Sequence, residues 1–168
     1  MRLLTASRYG TRMVLEIALH GKNGPVQMRE IAKHQDISQK YLEKIIRQLK
    51  KAGIIVSVRG PKGGHLLARP PAEVTVGEIV RVLEGDTFLV DCLKCPEICA
   101  NVPHCLTRMI WQEGSQAMFR KFDQITFAEL IRYAEQGIKF GDVCPACGKP
   151  EANGGGPDAS RAGHPVAP

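Results

Sequence analysis

The 168-residue chain has no apolar run long enough for a signal sequence or a membrane span. That predicts a cytoplasmic protein with no membrane partner, in a compartment where thiols stay reduced. No phosphate-binding loop occurs, and no Ser-His-Asp set can be picked out by spacing. These absences argue against an enzyme, and no small-molecule substrate is expected. What remains is an apolar fraction of 43%, enough for a core, and an uneven distribution of charge. Residues 1–70 carry 14 Lys and Arg against 4 Asp and Glu, whereas residues 71–168 carry 9 against 13. A basic half joined to an acidic half points to a polyanion-binding module attached to something else.

The basic half has the order of a winged helix-turn-helix. Ser7 can cap a first helix whose apolar positions Tyr9, Met13, Ile17 and Leu19 follow helical spacing, with Gly21 as its stop. After the turn at Asn23-Gly24-Pro25, a short helix is predicted over residues 28–34. A tight connection leads to Ser38, which caps a third helix over residues 39–52, ended by Gly53. Tyr41, Leu42, Ile45, Ile46 and Leu49 form its apolar stripe. Gln39, Lys40, Glu43, Lys44, Arg47, Lys50 and Lys51 occupy the outer face. A short helix followed by a basic one fits a major groove, where side chains near the start of the second helix reach base edges. Residues 54–58 and 65–68 read as two strands around the turn Arg59-Gly60-Pro61-Lys62-Gly63-Gly64. Arg59 is then placed for a minor groove and Lys62 for phosphate. Double-stranded DNA is the expected partner, with an acidic protein partner as the reading from another class.

Further along, Thr75-Val76-Gly77-Glu78 is a capping box opening a helix that buries Val76, Ile79, Val80 and Leu83. Pro103 is expected to start a long helix running to about Phe122. Its apolar residues, among them Leu106, Met109, Ile110 and Trp111, are too many for one buried stripe, so a homodimer across residues 105–122 is expected. A last helix begins at Thr126 and ends at Gly137. The fold class is therefore mainly α with a small β-wing. A winged helix-turn-helix domain over residues 1–84 is followed by a cysteine-rich loop over 85–105. A dimerisation helix and its packing helix span 106–140. Residues 141–168 hold a CxxC pair and a tail expected to be disordered, since 13 of the 21 residues from Gly148 on are Gly, Pro or Ala.

Four of the six cysteines fall within residues 91–105, spaced Cys92-x2-Cys95-x3-Cys99-x5-Cys105 with no regular strand or helix expected between them. Irregular backbone lets thiolates converge, and all-thiolate ligation suits an iron–sulfur cluster or a structural zinc equally. Zinc between Cys92, Cys95 and the pair Cys144 and Cys147 is a further arrangement, with the second pair as a half-site. Redox thiols forming a disulfide are another.

The segments SRYGTRMVLEIALHG, ISQKYLEKIIRQLKKAGII, VRGPKGGHLLAR and VTVGEIVRVLEG resemble the IscR/Rrf-type winged-helix transcriptional regulators. The resemblance covers about residues 1–135, and the wing motif is its most specific part. It implies a homodimer reading a partly palindromic operator, with Gln39 and Glu43 facing bases. In such a place the Glu43 carboxylate accepts from a cytosine amine. It also favours an iron–sulfur cluster, of the 2Fe–2S or 4Fe–4S type, over zinc. Cys99 and Cys105 match two of the family's ligands, and Cys92 or Cys95 the first. Arg108 stands where one branch of the family has a histidine ligand, and Arg8 where another has an aspartate. The extra cysteine is then the expected fourth ligand, which favours a four-iron cluster. The implied function is a DNA-binding repressor sensing redox state, iron or nitric oxide.

Overall fold

The computed structural model describes residues 5–85 and 88–138. Six helices and one hairpin follow in the order α1 (Thr5–His20), α2 (Met28–Gln35), α3 (Gln39–Lys51), β1 (Ile55–Val58), β2 (Gly64–Leu67), α4 (Val76–Glu84), α5 (Thr107–Gln124) and α6 (Phe127–Glu135). Residues 1–136 form one compact unit. Residues 141–168, with the Cys144 and Cys147 pair, lie outside the described residues.

The core is built by the helical periodicity of the basic half. Met13, Val14 and Ile17 of α1 meet Ile31 of α2, Leu42, Ile45 and Leu49 of α3, and Ile79 and Leu83 of α4. Ile54, Ile55, Val74 and Phe127 close it. Ser7 does not cap α1. The helix begins at Thr5, and Ser7 is buried inside it, because the first turn docks onto the core. The link between α2 and α3 turns at Asp36, held in the left-handed region at φ 52°, which a short polar side chain tolerates. Ile37 N–H then bonds to Ala32 O at 3.1 Å and closes the end of α2.

β1 and β2 are antiparallel in the register Ile55↔Leu67, Val56↔Leu66, Ser57↔His65 and Val58↔Gly64. This hairpin is the wing. Its inner strand is tied to the turn before α2 by His65 N–H to Val26 O at 2.8 Å and Val26 N–H to His65 O at 3.0 Å. A Cβ on Gly64 would sit 2.4 Å from Val26 O, so only glycine allows the strand this close.

α4 packs against α1, α3 and α5. Thr75 caps it by accepting from Glu78 N–H, as Thr126 caps α6 by accepting from Glu129 N–H. The two capping segments also pair with each other, through Val76 N–H to Ile125 O and Phe127 N–H to Val74 O, both at 3.0 Å. The long helix begins at Thr107 rather than at Pro103, which lies in the turn Val102–His104. The cysteine stretch likewise has local order. Three 3-10 turns, Asp91–Leu93, Pro96–Ile98 and Val102–His104, run through it, and two of them carry a proline in their first two positions, where its fixed φ is suited.

Candidate functional site

Ser38 sets the start of α3. Its hydroxyl accepts from Tyr41 N–H at 3.4 Å, and its extended backbone turns the chain into the helix. The helix buries Leu42, Ile45, Ile46 and Leu49. With one face fixed in the core, Gln39, Lys40, Glu43, Lys44 and Arg47 point to solvent, joined by Lys50. Arg59 and Lys62 are exposed on the wing turn. Among the described residues none of these basic side chains is ion-paired, and neither is Glu43. Salt bridges elsewhere use carboxylates away from this face. The cations are left free for an external polyanion.

Between α3 and the wing runs a groove of about 540 Å³, lined by Met28, Gln39, Glu43, Ile46, Arg47, Lys50, Ser57 and His65. The structure thus brings Gln39, Glu43 and Arg47 together at one groove. Lys40, Lys44, Arg59 and Lys62 fall outside its lining. His65 was not legible as part of this face. Its nitrogen Nδ1 lies 3.1 Å from Ser57 Oγ, and burial followed by the nearby Lys50 charge holds its pKa below the usual histidine value.

In the acidic half, Cys92 lies within the first 3-10 turn, Cys95 and Cys99 flank the second, and Cys105 follows the third. All four thiols are free, Cys99 exposed and the others half-buried. Cys105 Sγ is 3.2 Å from Thr107 Oγ1. That hydroxyl, then the Arg108 N–H and charge, hold its thiol below the ordinary value. Among the described residues no three His, Cys, Asp or Glu side chains are gathered to hold a metal ion. The surroundings nevertheless suit an anionic, thiolate-held group. Arg108 cannot ligate, but its buried Nε has no hydrogen-bond partner and supplies a cation beside Cys105.

The loop is fastened to α5 by a contact that no local pattern announced. Leu89 N–H donates to Ser115 Oγ at 3.0 Å, and Ser115 Oγ donates to Trp111 O at 2.8 Å. Ser115 is the one buried residue of α5. Leu106, Met109, Ile110 and Trp111 are 81, 69, 63 and 42% exposed, an apolar surface at the start of the helix. At its other end, Asp123 receives Arg81 of α4, and the Arg81 guanidinium lies 4.6 Å from the Phe119 ring centre.

The fold recurs in known proteins. A relative from Nitratidesulfovibrio vulgaris named protein rrf2 is 48% identical over 134 residues, spanning 80% of this chain and 89% of the relative. The solved structure of T. potens IscR superposes with a TM-score of 0.69 at 33% identity, over 83% of this chain and 92% of that one. CymR (YrzC), the global cysteine regulator of B. subtilis, superposes with a TM-score of 0.67 at 31% identity, over 79% and 98%. The Rrf2 family profile, described as iron-dependent transcriptional regulators, matches residues 3–133. The chain belongs to the Rrf2 family of transcriptional regulators.

Proposed function

We propose that the chain is a cytoplasmic, homodimeric repressor whose binding to a double-stranded operator responds to an iron–sulfur cluster held by Cys92, Cys95, Cys99 and Cys105. The observation that carries this reading is the placement of four free thiols on a loop fastened by Leu89 to Ser115 of α5. Held by these thiolates, a cluster would supply sensitivity to redox state, iron supply or nitric oxide. Every further link is made by the chain itself. The loop pulls on α5 through Ser115. Asp123 of α5 holds Arg81 of α4, and α4 packs against α1 and α3. A shift of α5 therefore reaches the helix that meets the major groove, where the spacing of two half-sites tolerates little displacement. Ser38, Gln39, Lys40, Glu43, Lys44 and Arg47 of that helix region, with Arg59 and Lys62 of the wing, are the proposed DNA contacts. The exposed apolar start of α5 supports the dimer, since a monomer gains nothing from 81% exposure of Leu106.

A second reading has its own support. Because the four thiols are spread over successive turns and not gathered among the described residues, a thiol switch could govern the same loop without a cluster; zinc on the same thiolates is the remaining metal alternative.

The test is anaerobic purification followed by an absorption spectrum and analysis for iron, sulfide and zinc. The proposal expects a coloured protein with matched iron and sulfide, lost in Cys99→Ser and Cys105→Ser. A colourless protein with equimolar zinc, or with no metal, contradicts it. The pair Cys144 and Cys147 is proposed as a second metal half-site. Cys144→Ser tests it by whether metal content falls.

A further inference from the structure

The groove between α3 and the wing holds a group that the DNA-contact set above leaves unused. His65 is the second residue of β2, directly after Gly64, and both its backbone groups are bonded to Val26. Its place is therefore fixed by three segments at once: the hairpin, the turn before α2, and α3 across the groove. Its side chain lines the groove with Gln39, Glu43, Arg47 and Lys50. It also lines the adjoining one with Gln27, Arg29, Gly60 and Pro61. With Met28, Gln39 and Ser57, it lines the corner at which the two meet. Ser57 Oγ occupies its Nδ1, and Nε2 has no hydrogen bond among the described residues.

We propose that His65 is a contact residue of the nucleic-acid face, presenting Nε2 to the duplex from this corner and taking up a proton there on binding. The proposal rests on the DNA-binding reading above and deepens it. In the free protein the ring is kept neutral by partial burial and by Lys50. The charged groups facing it are Glu43, Arg47 and Lys50 from α3 and Arg29 from α2, while Ser57 on β1 is uncharged. Burial, then the Lys50 charge, disfavours an imidazolium. A duplex reverses that balance, because phosphates neutralise the lysine and arginines and favour the charged ring. Binding should then be linked to proton uptake, and affinity should rise as pH falls. Neither Lys nor Arg can supply such a dependence near neutrality.

The probe is a duplex enriched from a random-sequence pool by the full-length, anaerobically purified protein. Its affinity is followed from about pH 8 down to about pH 5.5, a range that brackets the histidine value. Wild type should tighten by up to about tenfold per protomer if the duplex raises the ring's pKa by one unit. His65→Gln, which keeps a hydrogen-bond donor but cannot titrate, should lose that dependence. The ring resonance of His65 in the wild-type protein gives a second readout, independent of whether the variant folds: its titration midpoint should rise when duplex is added. Equal pH profiles for wild type and variant, or an unmoved midpoint, overturn the proposal and leave the DNA-binding reading standing. If no duplex can be enriched at all, both fall.

Discussion

Arg81 on α4 grips Asp123 on α5 through both guanidinium nitrogens, Nη1 to Oδ1 at 2.6 Å and Nη2 to Oδ2 at 2.7 Å. The same guanidinium lies against Phe119 of α5. Planar two-pronged pairing restricts both helices more than a single contact would. It is a direct side-chain link between the helix carrying the loop anchor and the core of the DNA-binding domain. Gly77 makes the approach possible: a Cβ there would sit 2.1 Å from Asp123 Oδ1.

Asp123→Asn should therefore weaken coupling more than stability. Both partners are about two-fifths exposed, so the pair contributes about 1 kcal/mol or less once solvent screening is counted. The Arg81 hydrogen bonds hold the Asp123 carboxyl below its ordinary value. Its contribution is accordingly present at neutral pH and disappears as pH falls through that depressed value. Urea unfolding of wild type and variant should differ at neutral pH and converge in acid.

Gly64→Ala should detach the wing. The new methyl would collide with the Val26 carbonyl, a backbone group with no rotamer to escape into. Overpacking of this kind costs about 1–3 kcal/mol. Unfolding curves should show that loss, and duplex affinity should fall further than stability alone explains.

Substitutions on the basic face should separate by role. Arg59→Ala and Lys44→Ala should each reduce the slope of log affinity against log salt by about one, as expected for a lost phosphate contact. Gln39→Ala should leave that slope unchanged and narrow the gap between cognate and mutated duplexes by about 1–3 kcal/mol. Affinity measured across a salt series distinguishes the two.

Ile110→Asp should leave the fold intact, because Ile110 is exposed and α5 adds no residue to the buried core cluster. If the start of α5 is the dimer surface, sedimentation should change from dimer to monomer. An unchanged dimer would place the interface elsewhere.

The helix starts were legible because their signals are local. Ser38, Thr75 and Thr126 cap where a hydroxyl three residues before an N–H requires, and the apolar stripe of α3 follows from helical spacing. Ser7 misled because a serine near a helix start is equally able to sit inside the first turn, and burial decided it. Pro103 misled in a related way, since its fixed φ suits a 3-10 turn as readily as an α-helix. The ties that connect loop to reader could not be read at all. Ser115 meets Leu89 across 26 positions, and Arg81 meets Asp123 across 42. Such pairs leave no periodicity in the chain and emerge only from how the helices pack.

Control of operator binding by the cysteine loop can be tested in a single comparison. Duplex affinity is measured for the anaerobically purified protein, for the same protein after chelation and mild oxidation, and for the variant Cys92→Ser combined with Cys99→Ser and Cys105→Ser. The account predicts a strong, sequence-specific interaction in one state that weakens by tenfold or more in the other, about 1.4 kcal/mol, with the variant locked in a single state. Affinity that is the same in every state and in the variant would contradict it.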